Sequence, residues 1–421
     1  MDRPGLQVLY ANLVSDLAVD LEQREVLGAW AEQATREVWL LRSGDVLVTP
    51  VPVGEAFLAY ACALTGVPRA SVTVITLPDG FVSAGDRGAY RAAVEAVREA
   101  AAGRPVAAVL PTALDDAAVG LARGLGATVA PYASAAAAEA ALDVTHLLNT
   151  KAGFRSTAQA LGMRLPDGRV CRRAEVAGVV GELLASHERV VVKPDRSAGG
   201  HGLLFLSSAG GPWDAGTLAP VGGTEGLWVV EEEIDVARSV SVQLETGGEG
   251  PKPLFSGEMR TVGGSFTGYL SPLPAAVARF APELEAWGRA LGGFLTERGY
   301  AGPFGVDAMV SADGVLYAGE SNVRRTATTT PQAMVARLAG PGDPTWATGR
   351  LRASAPYSFE EAVDRLHALR IAFDPARGEG IVLYSGAPAD GVTWRYAVIA
   401  DDRDSLQRYE ALLRSTWTTA S

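Results

Sequence analysis

The sequence predicts a mixed architecture. An α/β amino-terminal domain with a largely parallel sheet is expected over residues 1–145, an α+β region over 146–350 and a small α+β domain over 351–421. Three observations carry this. Strand-like and helix-like segments alternate up to about residue 145, the pattern of βαβ units. From Asn149 the alternation gives way to β-branched runs separated by glycine-rich and acidic stretches. From residue 351 a helix start, two short strands and a last helix form a separate run. A chain of 421 residues has room for two or three domains, and 48% apolar residues supply their cores.

Taken in order, Leu6–Tyr10, Val46–Thr49, Val72–Leu77 and Val106–Leu110 read as strands. Leu21–Ala34, Ala56–Thr65 and Ala89–Ala102 read as helices, and Gly80–Gly88 as a loop. The alanine-rich run Ala133–Leu142 carries Glu139 and also reads as helix. No G-x-G-x-x-G follows a strand here, which argues against a Rossmann dinucleotide site. Near the carboxyl end, Ser358-x-x-Glu361 is a capping box that opens a helix to about Arg370. Strands over Gly380–Tyr384 and Thr393–Ala400 and a helix over Asp402–Ser415 follow.

Composition excludes several classes. A net charge of −11 argues against nucleic-acid and anionic-membrane partners. The two cysteines, Cys62 and Cys171, have no metal-ligand or CxxC spacing, which fits a cytoplasmic location. The four histidines are scattered and give no zinc site or Ser/His/Asp triad. The first residues, MDRPGLQVLYANL, lack the pattern of a signal peptide, and no apolar run is long enough to span a bilayer.

The chemistry lies in four stretches between residues 149 and 325. In the first, Lys151 opens a helix to about Leu161 that Gly162 stops. A cation at a helix start is unfavourable unless it faces an anion. In the second, Val190–Lys193 is a strand followed by a loop carrying Ser197, Gly199, Gly200 and Gly202. Such glycines let backbone N–H groups converge on an anion, and a lysine ending a β-branched strand needs a partner. The loop is no Walker A motif, since no G-x-x-x-x-G-K-[ST] occurs. In the third, an apolar strand ends in Glu231, Glu232 and Glu233, followed by Ile234 and Asp235. This is either a solvated edge or a hinge whose backbone pairs with an adenine edge.

The fourth stretch, Gly302–Arg325, says most. Val306–Ser311 and Val315–Glu320 read as strands about a two-residue Asp313-Gly314 turn. Counting back from that turn puts Asp307 opposite Glu320, with Asn322 on the same face. Opposed carboxylates have Cβ atoms about 4.5–5.5 Å apart and repel each other. A divalent cation between them removes the objection, and Asp, Glu and Asn oxygens suit Mg²⁺. Arg324 and Arg325 follow and could hold phosphate oxygens.

In their order and spacing over about 150–330, these four stretches resemble the ATP-grasp superfamily of carboxylate–amine ligases. The whole chain is similar to the stand-alone peptide ligases of pheganomycin biosynthesis. That likeness includes the amino-terminal pre-ATP-grasp domain, the segment GPFGVDAMV…ESNVRRTATTTP and the small carboxy-terminal domain. The resemblance implies an ATP-grasp fold. It implies that Lys151 and Lys193 contact ATP phosphates, that the loop of Ser197, Gly199, Gly200 and Gly202 closes over them, and that Glu231–Ile234 form the adenine hinge, with Asp235 near the ribose. It further implies two Mg²⁺ ions on Asp307, Glu320 and Asn322, and Arg324 on the transferring phosphoryl group. Arg260, in a glycine-flanked loop, and Arg325 are the candidates for holding the substrate carboxylate or acyl phosphate.

The expected activity is ATP-dependent joining of a carboxylate, an amino acid or peptide, to an amine, with release of ADP and phosphate. A catalytically silent ATP-binding scaffold and another ATP-grasp enzyme such as a carboxylase are the alternatives. A homodimer is expected by analogy with superfamily relatives.

Overall fold

The computed structural model describes residues 5–15, 17, 27–28, 31–77, 87–196, 202–210, 226–262, 265–340, 342 and 344–417. Its strands form three sheets. The first is parallel: β1 (Leu6–Tyr10), β2 (Val46–Thr49), β3 (Thr73–Thr76), β4 (Val106–Pro111) and β5 (Thr128–Val129), in the order β3-β2-β1-β4-β5. LQVLY and VLVT are buried throughout, as central strands covered on both faces must be. Helices α1 (Glu55–Thr65), α2 (Arg87–Ala101) and α3 (Asp116–Leu125) connect the strands. The order reverses between β1 and β4, and the residues just past those two strands are tied together there. Asn12 Nδ2 donates to Asp115 Oδ2 at 2.8 Å, while Asp115 caps α3 by accepting from the Ala118 N–H. The helix expected over Leu21–Ala34 falls largely outside the described residues, and from Glu32 to Leu40 the chain is a 3-10 helix. The Gly80–Gly88 loop also lies outside them, up to residue 86. The expected Ala133–Leu142 helix is split between α4 (Ala135–Glu139) and the start of α5 (Leu142–Leu148).

Past α6 (Lys151–Ala160) comes an antiparallel sheet: β6 (Gly168–Arg172), β7 (Arg189–Pro194), β8 (Leu204–Ser207) and β9 (Leu227–Glu232), in the order β6-β9-β7-β8. Helix α7 (Val176–Leu184) covers one face, packing Val176, Val179, Val180 and Leu183 on Val190, Val192, Trp228 and Val230.

The third sheet has eight strands: β10 (Val236–Thr246), β11 (Lys252–Val262), β12 (Ser265–Ser271), β13 (Gly302–Ser311), β14 (Leu316–Asn322), β15 (Thr345–Arg352), β16 (Gly380–Leu383) and β17 (Thr393–Ala400). Their order is β14-β13-β10-β11-β12-β15-β17-β16. Helix α8 (Ala281–Glu297) lays Leu284, Leu291 and Leu295 on one face, against Val240, Val242, Phe304 and Val306. Part of the other face shares a core with the parallel sheet, where Tyr269 and Trp346 join Leu9, Leu47, Trp39 and Phe57. After α9 (Thr329–Ala339), the carboxy-terminal strands extend the same sheet through β15. Helix α10 (Phe359–Ala368) starts on the expected capping box, both arms formed, and α11 (Arg403–Trp417) closes the chain. Among the described residues no helix is long and apolar enough to cross a membrane.

Candidate active site

The β13–β14 hairpin has Asp307 opposite Glu320, as expected, but by a different route. Val310 pairs with Leu316, and Ser311 N–H donates to Val315 O at 2.9 Å, so Ala312, Asp313 and Gly314 all lie in the turn. Gly314 takes φ +78°, which favours glycine. Ser311 Oγ accepts from the Val315 N–H at 3.0 Å and holds the turn closed. The extra turn residue would slip the pairing by one. A β-bulge at Gly319 inserts a compensating residue and restores the register at Asp307.

The junction of α5 and α6 is stitched to β14. Ser321 Oγ donates to Leu148 O, the Val323 N–H donates to Asn149 Oδ1 at 3.1 Å, and Arg324 donates to the same oxygen. Thr150 caps α6, and the first N–H groups of the helix, from Lys151 and Ala152, donate to the Asp195 carbonyl and carboxylate just past β7. These ties set Lys151 Nζ 3.5 Å from Glu320 Oε2. The anion that a lysine at this helix start required is therefore Glu320.

Asn322 Nδ2 donates to Asp307 Oδ2 at 2.9 Å. Burial first, and Glu320 second, push the Asp307 carboxyl up to about 8, against the pull of Arg324 and Asn322. Burial likewise lowers the Arg324 guanidinium, while Glu320 and Asp307 oppose it. Among the described residues no three His, Cys, Asp or Glu side chains gather to hold a metal. The candidate is two carboxylates and an amide. Their oxygens are the hard donors that Mg²⁺ takes, and Lys151 and Arg324 stand beside them.

The second cluster is on the four-stranded sheet. Glu231 is 5% exposed, and its carboxylate accepts from Lys193 on one oxygen and from Arg155 Nη1, at 2.9 Å, on the other. Arg155 also donates to Pro166 O and Gly168 O, at 2.8 and 2.7 Å. Sequence reasoning missed Arg155. Its signal was its place four residues after Lys151, one turn along the same helix face. The acidic run is not a solvated edge. The N–H groups of Glu232 and Glu233 donate to Asp167 O and Arg189 O, at 2.7 and 3.0 Å, and Glu233 pairs with Arg189. Strand β9 ends at Glu232, so Ile234 and Asp235 lie in the connection to β10. Asp235 O accepts from the Ala312 N–H at 2.8 Å, tying this connection to the hairpin tip. Gly202 has φ +74°, while Ser197, Gly199 and Gly200 lie outside the described residues.

Arg325 lies where the parallel sheet meets the site, its N–H donating to Thr112 O just past β4. Arg260 is not brought to the site. Ser241 is opposite both Asp307 and Gly257, and Arg260, an odd number of residues from Gly257, points to the other face. There Arg260 joins Gly268, Gly349 and Tyr396 in a row across β11, β12, β15 and β17. Its guanidinium takes both oxygens of Glu410 on α11, at 2.5 and 3.1 Å, and Tyr396 Oη donates to Glu410 at 2.9 Å. A Cβ at Gly349 would fall 2.5 Å from Tyr396 Oη, so only glycine lets this bracket close. Arg260→Gln is expected to lower stability by about 2–3 kcal/mol, because Glu410 keeps its burial and loses a charged partner. Chemical denaturation measures the loss, and Mg²⁺-ATP affinity should stay unchanged.

Three sheets in this order define an ATP-grasp fold with an amino-terminal pre-ATP-grasp domain and a small carboxy-terminal domain. The family model described as the pre ATP-grasp domain matches residues 34–127, and the PGM1 C-terminal domain matches residues 361–413. Among solved structures, the chain is similar to N5-carboxyaminoimidazole ribonucleotide synthetase from Thermus thermophilus, at 16% identity and TM-score 0.59, covering 99% of both chains. It is similar to N5-carboxyaminoimidazole synthetase from Staphylococcus aureus complexed with ADP, at 9% identity and TM-score 0.60, covering 98% of this chain and 97% of that one. The biotin carboxylase domain of the Hydrogenobacter thermophilus 2-oxoglutarate carboxylase, in complex with MgADP, ADP and bicarbonate, matches at 14% identity and TM-score 0.57, covering 100% of this chain and 91% of that one. At such identities the likeness is one of fold. No curated protein matches the chain.

Proposed function

We propose that the protein is an ADP-forming carboxylate–amine ligase using ATP and Mg²⁺. The observation that carries this is the convergence of Lys151, Asp307, Glu320, Asn322 and Arg324 from separate elements. Asp307, Glu320 and Asn322 would hold Mg²⁺, which when bound supplies charge neutralisation to the nucleotide phosphates. Lys151 and Arg324 add fixed positive charge beside them. Lys193 reaches the nucleotide by exchanging Glu231 for a phosphate oxygen, the Glu231–Ile234 stretch presents the backbone of the hinge, and Asp235 lies near the ribose. Domain boundaries near residues 145 and 350 follow the same reading.

In the reaction, the substrate carboxylate attacks the γ-phosphorus of ATP and ADP leaves. The amine then adds to the carbonyl of the acyl phosphate, phosphate departs, and the amine proton passes to solvent or a base. Phosphoryl transfer asks for positioning and charge, not a protein nucleophile. The likeness to stand-alone peptide ligases favours an amino acid or peptide as the carboxylate. A second reading has an observation of its own: the similar structures include carboxylases and carboxyaminoimidazole synthetases. In that reading bicarbonate takes the place of the carboxylate.

Hydroxylamine trapping tests both. The protein is incubated with Mg²⁺-ATP, hydroxylamine and a panel of amino acids and short peptides, and hydroxamate is read beside ADP. Hydroxamate formed with ADP supports the ligase. AMP in place of ADP would overturn the acyl-phosphate route. ADP release that depends on bicarbonate and ignores the panel selects the carboxylase reading.

A further inference from the structure

We infer that Arg36, Arg350 and Arg395 form an anion-binding subsite that takes a second, remote carboxylate of the substrate. That identity of the ligand rests on the ligase reading; the existence of the site does not.

Arg350 and Arg395 are directly opposed in the β15–β17 register. Neither has an ion-pair partner among the described residues. Like charges so placed repel each other, and in a chain with 48 acidic and 37 basic residues the arrangement is not forced by a shortage of acids. A third arginine, from the amino-terminal domain, lies near Arg395. Trp39 Nε1 donates to Tyr384 O at 2.9 Å and fixes the 3-10 helix Glu32–Leu40 over the end of β16, beside Arg395. On that helix Arg36 is 3% exposed, and its Nε is buried without an acceptor among the described residues. Its Nη1 lies 3.5 Å from Gln33 Oε1, at the limit for a hydrogen bond. Burial lowers the Arg36 guanidinium and Arg395 lowers it further, while Glu37 and Tyr384 act the other way. Glu37 is itself engaged by Thr330 Oγ1 at 2.8 Å.

A neutral donor lies on the same face. Thr348, two residues before Arg350, is 1% exposed, and its Oγ1 is buried without a partner among the described residues. Thr348 is opposite Tyr269, whose Oη lies 3.0 Å from Ser241 Oγ, and Ser241 is opposite Asp307. The arginines therefore share a sheet face with the Asp307–Glu320 pair, with β10, β11 and β12 between them. An anion held there is a different group from the one activated beside Asp307. Guanidinium forks bind carboxylate or phosphate oxygens in pairs, and either would relieve the repulsion and satisfy the orphaned Nε. In a ligase substrate the group is a carboxylate, as on an acidic side chain or the far end of a peptide.

The test titrates the full chain with succinate and with inorganic phosphate, without nucleotide, by calorimetry. Arg350→Gln and Arg395→Gln serve as variants. Saturable succinate binding by the wild type is expected, at least tenfold weaker in each variant. Both variants should unfold at the wild-type temperature or above it, since each removes a repulsion. Equal succinate affinity in all three folded proteins, or no binding of either anion by the wild type, would overturn the subsite. Phosphate binding tighter than succinate would overturn the carboxylate and put a phosphoryl group in its place. Mg²⁺-ATP affinity is measured in parallel. If ATP fails to bind while the arginine-dependent anion binding persists, the ligase reading falls and the subsite stands.

Discussion

Asp307→Asn is expected to abolish Mg²⁺-dependent ADP formation, by about 10³-fold or more, while leaving the protein folded and at least as heat-stable in Mg²⁺-free buffer. The activity loss is on the scale of removing one charge-stabilising group from phosphoryl transfer. The stability result follows from the geometry. Asp307 and Glu320 face each other across the hairpin, and burial and that opposition together hold the Asp307 carboxyl far above its usual range. An amide has no charge to desolvate and can still bond to Asn322. The same swap thus removes a function and relieves a conflict, the signature of a site held ready for a cation. Steady-state ADP release against Mg²⁺ concentration, with thermal unfolding in chelator, checks both halves. A variant that keeps its Mg²⁺ dependence would remove Asp307 from the metal site. One that unfolds earlier than the wild type would mean that its carboxylate is structural.

What the sequence made legible was set by local chemistry. Short runs rich in apolar and β-branched residues marked β1, β2 and β17, and the Ser358–Glu361 box marked α10, because strand propensity and caps act over a few residues. The Asp307–Glu320 pairing was reached through a turn one residue too short and a bulge not foreseen, two errors that offset each other. A bulge at Gly319 has no signature beyond a glycine in a strand. What the sequence could not show depends on distant partners. Arg155 is held at the site by Glu231, 76 residues away, and Arg260 is drawn away from it by Glu410, 150 residues away. A glycine-flanked arginine looks like a loop residue until the sheet order shows that it spans four strands toward a terminal helix.

The Lys193–Glu231–Arg155 cluster carries the other large effect. Arg155→Ala should destabilise the protein by about 3 kcal/mol or more, since the buried Glu231 carboxylate loses one of its two cationic partners. All three side chains are nearly enclosed, with 15%, 7% and 10% of Lys193, Glu231 and Arg155 exposed. Arg155 also crosslinks the segment entering β6, so the loss frees Pro166 O and Gly168 O as well. Lys193→Met is expected to behave differently. Glu231 keeps its bond from Arg155 Nη1, so the stability loss is smaller, whereas ATP affinity falls at least tenfold because the proposed phosphate contact is gone. Urea unfolding followed in the four-stranded sheet through Trp228, which lies in its core, and ATP titration of both variants separate the roles. Equal stability losses with equal affinity losses would mean that the cluster is one structural unit, and Lys193 would leave the nucleotide site. If the Arg155 variant is instead as stable as the wild type, Glu231 must be neutralised by Lys193 alone. The lysine would then be locked to the glutamate and could not exchange it for a phosphate.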